Sequence, residues 1–213
     1  MSDNVYSVWS ASSTVKRITT VLPDGCRDLI LKIVGREQPH WFVSPLFDHS
    51  QSILVEENSV LLGVRFKPGV VIAEEELLNF IQQNNIYADE VQNYVDDFTC
   101  VNPSVDEALE CLASNVKSIK HASLSLGVSS RTLQRLMLNN TGRTPGYWFQ
   151  LARVRKAARC IISSVSLSDA ADMHGFSDQS HMNREFQRWF KSSPVEMLKS
   201  PDIIEQLMDT GYG

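Results

Sequence analysis

LSDAADMHGFSDQSHMNREFQRWFKSSPVEM, Leu167 to Met197, reads as two helices around a tight turn at Gly175-Phe176-Ser177. Ala170 and Ala171 precede that turn by about one helical turn. Small side chains there let two helices approach closely, and glycine supplies the left-handed turn. Asp178 is placed to cap the second helix. Phe186, Trp189 and Phe190 recur at three- and four-residue spacing and form its inward face. Gln179, Ser180, His181 and Arg184 fall near the opposite side, in the N-terminal half, where base edges are reached. Glutamine pairs bidentately with adenine and arginine with guanine. Arg188 and Lys191 are better placed for phosphates, which position a protein without specifying sequence.

A looser copy lies upstream in IKHASLSLGVSSRTLQRLMLN, Ile119 to Asn139. Gly127 occupies its turn. Ser129 caps the following helix and is also placed for a phosphate. Leu133, Leu136 and Met137 face inward, while Arg131, Gln134 and Arg135 form the outward group. Two helix-turn-helix units in one small segment give two entries into a major groove.

The charge distribution supports a polyanionic partner. The chain carries a net −5, but residues 1–100 hold 7 Lys/Arg against 14 Asp/Glu, and residues 117–199 hold 13 against 5. Basic surface concentrated in one segment is the electrostatic footprint of nucleic-acid binding. The acidic first part is not expected to touch DNA.

At 213 residues with 43% apolar content, the chain can build one large core or two small ones. No apolar run approaches the roughly 18 residues of a membrane span. The opening MSDNVYSVWS lacks the basic start and apolar stretch of a secretion signal. Cys26, Cys100, Cys111 and Cys160 are widely spaced, which points to buried reduced thiols in a cytoplasmic protein rather than a zinc site or disulfide framework. Cys26 beside Arg27 admits an activated thiol, though a buried strand cysteine is the commoner outcome. His40, His49 and His181 have no ligand-spaced partners, so neither metal nor cofactor is expected.

The fold class is α+β. Val15 to Val21, Asp28 to Val34 and Ser59 to Phe66 alternate as strands, with shorter runs at 41–43 and 52–55, separated by Pro/Gly breakers. They imply a small, mostly antiparallel β domain, a partial barrel or cupin-like sheet. Leu77, Leu78, Phe80 and Ile81 then form a helical face behind Glu74, Glu75 and Glu76, and Val91, Tyr94, Val95 and Phe98 form a second. Leu77, Phe80, Ile81, Tyr94 and Val95 are candidate oligomerisation contacts, with intradomain packing as the alternative. The boundaries expected are 1–100 for this β-rich sensor or dimerisation domain, 104–200 for a seven-helix domain, and 201–213 for a tail. Helices are expected near 104–114, 118–126, 130–139, 145–164, 167–174, 178–190 and from Pro194. Along 145–164, Leu151, Val154, Ala158, Ile161 and Ile162 form a stripe able to contact both units.

From about Asp106 to Leu198 the chain resembles the DNA-binding domain of AraC/XylS-family transcription regulators. GVSSRTLQRL, TGRTPGYWFQLARVRKAARCI and AADMHGFSDQSHMNREFQRWFKSSPVEM carry the likeness. The resemblance implies seven helices and two recognition helices joined by one long helix. Their base-contacting positions fall on Arg131, Gln134, Arg135, Gln179, Ser180, His181 and Arg184. Ser123 departs from the usual alanine, and Met137-Leu138-Asn139-Asn140 lacks the usual phenylalanine and basic tail. VLPDGCRDLIL and LLGVRFKPG are similar to segments of the family's β sensor-type domain.

These readings lead to a sequence-specific, double-stranded-DNA-binding activator in the bacterial cytoplasm, on the nucleoid when bound. Its expected partners are RNA polymerase, a second copy of the chain and an unnamed effector. The alternative is a protein-interaction regulator that modulates a relative without binding DNA by itself. An enzyme, such as a cupin-type oxygenase or an alkyltransferase, lacks both a metal cluster and an acceptor-cysteine motif.

Overall fold

A computed structural model describes residues 3–209 and 211–213. Its first part is built on a four-stranded antiparallel sheet of order β1-β6-β3-β4, from β1 (Val5–Ser13), β3 (Arg27–Val34), β4 (His40–Val43) and β6 (Ser59–Phe66). A separate antiparallel ladder joins β2 (Arg17–Val21) to β5 (Gln51–Val55), and two-residue strands β7 (Val71–Ile72) and β8 (Thr99–Cys100) pair with each other. The α+β class with a mostly antiparallel first part holds, its strands forming one four-stranded sheet and two two-stranded ladders.

β1 is the longest strand that patterning missed; the two-residue strands β7 and β8 are the others. Four serines in VYSVWSASS dilute its alternation, yet it pairs with β6 from Ser13↔Ser59 to Val5↔Phe66. Trp9 lies flat over Gly63, whose missing side chain makes the approach possible: a Cβ there would sit 2.1 Å from the indole.

The other face of this sheet is covered from within the chain. α1 (Glu74–Asn84) lays Leu77 and Ile81 onto Leu29, Val43, Val64 and Phe66, with Val91 and Val95 completing the cluster. Three glutamates at the positive end of its dipole stand in for a missing side-chain cap. Leu77, Ile81 and Val95 are 0–2% exposed. At about 1.5–3 kcal/mol per buried side chain, this packing is their use in the fold. These three side chains thus pack within the chain, as in the intradomain alternative. Phe80 and Tyr94 are half-buried, with rings 5.3 Å apart. The second expected helix is instead two 3-10 turns, Val91–Asn93 and Val95–Phe98.

The helical part follows the expected order: α2 (Pro103–Ala113), α3 (Ile119–Ser125), α4 (Ser130–Thr141), α5 (Pro145–Ile162), α6 (Leu167–Met173), α7 (Gln179–Phe190) and α8 (Pro194–Met197). The segment expected as a tail forms a further helix, α9 (Pro201–Met208), because Ile203 and Leu207 share an apolar face behind a proline at its start. Leu207 is fully buried, and beyond it Tyr212 packs edge-on against Trp148 and donates to the Leu109 carbonyl. The helical core also takes in Leu22 and Leu46 from the first part. Packing thus crosses both of the boundaries drawn from sequence.

Candidate nucleic-acid interface

α5 is the spine between the two units. Trp148, Leu151, Ala152, Val154, Ala157 and Ala158 are buried along it. Thr144 caps it, and Pro145 occupies the first turn, where no backbone donor is lost.

In the first unit the chain turns at Gly127, φ 66°. Nothing lies within 4 Å of where its Cβ would be, so the backbone conformation alone demands glycine. Ser129 accepts from the Thr132 amide at 3.0 Å and starts α4. Leu133 and Met137 are fully buried, which turns Arg131, Gln134 and Arg135 to solvent one helical turn apart. Ser123, the departure from alanine, is buried without penalty because its hydroxyl donates to the Ile119 carbonyl at 2.9 Å and meets the Ser130 hydroxyl at 3.2 Å. The last turn of α4 holds no basic residue, and Leu138 is exposed there.

The second unit repeats the geometry with stronger anchors. Gly175 has φ 68°, and Ala170 and Ala171 are buried at the helix contact. Asp178 accepts from the His181 amide at 2.6 Å. That backbone hydrogen bond holds the Asp178 carboxyl below the ordinary aspartate value. Met182, Phe186, Trp189 and Phe190 face the core, leaving Gln179, Ser180 and Arg184 exposed. His181 is partly engaged: its Nδ1 faces the Ser177 amide at 3.3 Å, and its ring stands edge-on to Phe176. Arg188 lies along the helix, 3.7 Å from Glu185, and Lys191 ends α7 in the left-handed conformation, exposed.

Arg153 is the functional neighbour that sequence reasoning missed. From α5 it donates to the carbonyls of His174 (2.7 Å) and Gly175, and its guanidinium lies 3.9 Å from the Phe176 ring centre. It ties α5 to the turn that precedes α7. Burial lowers its pKa. No periodicity separates it from a surface cation.

The basic excess is also smaller at the surface than in the sequence. Arg153 is spent on that turn, Lys156 on the Ala113 carbonyl, Arg159 on the carbonyls of Leu207 and Gly213, and Arg143 on Asp48. Arg155 is fully buried, donating to the Pro23 carbonyl, and burial pushes its pKa down to about 10. The eight cations left exposed between 117 and 199 are Lys117, Lys120, Arg131, Arg135, Arg184, Arg188, Lys191 and Lys199.

Among the described residues no His/Cys/Asp/Glu group fits a metal ion, and no helix is long and apolar enough to cross a membrane. The four cysteines are free. Cys26 is buried as expected, and burial raises its thiol pKa well above the ordinary value, the reverse of activation. Cys100 is exposed, contrary to the expectation of buried thiols.

Two capped helices, α4 and α7, each following a glycine turn and joined by one long helix, define a double helix-turn-helix module. Residues 123–200 match a family model described as a helix-turn-helix domain. The transcriptional activator NphR of a Rhodococcus species is 32% identical over 100 residues, covering 46% of this chain and 29% of that protein. The HTH-type transcriptional activator RhaS of Klebsiella pneumoniae is 35% identical over 80 residues, covering 37% of this chain and 29% of its own length. The matches thus span under a third of these relatives. An AraC-type regulator from Chromobacterium violaceum superposes on 51% of this chain and 96% of its own, at 24% identity and TM-score 0.42. ToxT from Vibrio cholerae covers 95% of this chain and 97% of its own, at 10% identity and TM-score 0.48. Over its helix-turn-helix segment the chain is similar to the DNA-binding domains of AraC/XylS-family transcription regulators.

Proposed function

We propose that the protein is a sequence-specific DNA-binding transcription regulator that reads two adjacent major-groove segments of one duplex. The observation that carries this reading is the repetition of one device. After a left-handed glycine and a side-chain cap, α4 turns out Arg131, Gln134 and Arg135, and α7 turns out Gln179, Ser180 and Arg184. These residues, with the free edge of His181, read bases. Ser129, Arg188 and Lys191 position the helices on phosphates. Both named relatives are activators. Activation through RNA polymerase, action in the cytoplasm on the nucleoid, and a functional unit of residues 104–200 belong to the same proposal. The first hundred residues would supply sensing or pairing.

Selection of bound fragments from the source genome, followed by affinity against salt, tests it. Enriched sites with two short elements about one helical turn apart are expected. Eight exposed cations limit the slope of log affinity against log salt to about −7. Absence of any enriched site refutes autonomous reading. The second reading, a regulator acting through a full-length relative, draws on the missing basic turn at the end of α4.

A further inference from the structure

The segment between β4 and β5, residues 44–50, reaches from the sheet onto both helix-turn-helix units. Its start is pinned to the first part: the Ser44 hydroxyl accepts from the Asp28 amide at 2.7 Å, and the Ser44 carbonyl accepts from Arg27 Nε at 2.8 Å. Its middle grips the end of the first unit. Arg143, one residue past the glycine that ends α4, donates two hydrogen bonds to the Asp48 carboxylate, at 2.7 and 3.2 Å, and a third to the Leu46 carbonyl at 3.2 Å. The Tyr147 hydroxyl, on the first turns of α5, donates to the Phe47 carbonyl at 2.9 Å. Its far end reaches the second unit, where the Ser50 amide donates to the Trp189 carbonyl in the last turn of α7 at 2.8 Å. The Tyr147 ring stands 5.2 Å from that of Trp189, and the Arg143 guanidinium lies 5.6 Å from the Tyr147 ring centre.

We infer that this loop is a brace through which the β part fixes the placement of the two recognition helices relative to each other. The inference deepens the DNA-reading proposal and rests on it for its functional consequence. A reader with two heads loses freedom when both dock, and a brace that fixes the heads beforehand removes part of that cost. The contacts suit such a role. They close on the end of α4 and the end of α7, and leave the exposed N-terminal halves of both helices untouched. The carbonyl that Ser50 takes is one of those a helix end leaves without an internal partner. Simple docking of one part on the other would not require a single seven-residue loop to hold both units.

The test uses the full chain with Asp48→Ala, Tyr147→Phe and the pair combined. Asp48 is exposed and Tyr147→Phe keeps the ring, so folding is checked by thermal melt and Tyr147→Phe alone serves if the pair fails to fold. Amide exchange in the free protein reads the brace without DNA, and roughly tenfold faster exchange is expected across 141–147 and 186–191. The DNA probes are a duplex of about 30 base pairs selected on the wild-type chain and the same duplex with one element scrambled. The two-element duplex should lose roughly tenfold in affinity and the one-element duplex no more than about twofold. Asp48→Ala also removes a negative charge beside a basic module, which by charge alone raises affinity for both probes. Equal change on both probes, or unchanged exchange, overturns the brace. Should the wild type select no duplex, the DNA-reading proposal fails, and the exchange result still decides whether the loop holds the two helix ends.

Discussion

Replacing Arg153 by alanine should unfasten the turn of the second helix-turn-helix. The side chain makes two charged hydrogen bonds, to the carbonyls of His174 and Gly175, and lies over Phe176 at 3.9 Å. Charged hydrogen bonds contribute about 1.5–3 kcal/mol each when buried, and a cation over an aromatic face about 0.5–1 kcal/mol. The site is only half-buried, and Gly175 is exposed, so water recovers much of the loss. A net destabilisation of about 2 kcal/mol remains, which for a chain of this size lowers Tm by roughly 4–8 °C. Arg153→Lys keeps the charge but not the planar fork, and should recover about half of it. Paired thermal melts of wild type, Arg153→Ala and Arg153→Lys read the effect. A loss under about 0.5 kcal/mol would refute the role given to this arginine. Unchanged stability with lost DNA affinity would make it a phosphate contact instead.

Arg184→Ala should cost about 1–3 kcal/mol at a selected site and relax preference at one position, whereas Lys191→Ala should weaken all sequences alike and flatten the salt slope by about one. Competition binding against single-base variants separates the two. Gly63→Ala drives a methyl to 2.1 Å from the indole of Trp9, which a hydrogen bond to Asp28 at 2.8 Å holds in place. The overpacked sheet should lose about 1–3 kcal/mol in urea melts, and wild-type stability would show that the indole moves freely. Asp178 has a folded pKa below its ordinary value of 3.8, chiefly through the His181 amide. Its contribution to stability is therefore complete above that value and is lost as pH falls through the lower folded one. Asp178→Ser keeps a cap that does not titrate, so Tm of wild type should fall toward the variant's, or below it, as pH drops under 3.8. Parallel acid limbs would contradict this.

The second recognition unit was legible in the sequence because each of its constraints is local. Gly175 requires a left-handed backbone, Asp178 requires a helix start, and Phe186, Trp189 and Phe190 share one face. β1 was not legible, since Ser7, Ser10, Ser12 and Ser13 interrupt its apolar alternation and mimic a loop. The turns at 91–98 read as one helix because Val91, Tyr94, Val95 and Phe98 suit helical spacing, which two successive 3-10 turns also satisfy. Arg153 and Arg155 look in sequence like any cation of a basic segment. Their roles depend on carbonyls 21 and 132 residues away. The loop 44–50 carries no periodic signal, because it acts through single hydrogen bonds to groups as far as 139 residues away along the chain.

The fold thus joins an acidic sheet to a basic two-unit module through contacts at the loop 44–50, at α5 and α9, and at the residues around Tyr212. A two-headed reader built this way is sensitive to the distance between its targets. The most direct measurement is affinity for a selected duplex as its two elements are moved apart one base pair at a time. The account predicts an optimum near one helical turn and a loss of at least about tenfold when roughly half a turn is inserted, because one recognition helix then faces the wrong side of the duplex. Affinity indifferent to that spacing, with only salt-sensitive binding to every sequence, would contradict it.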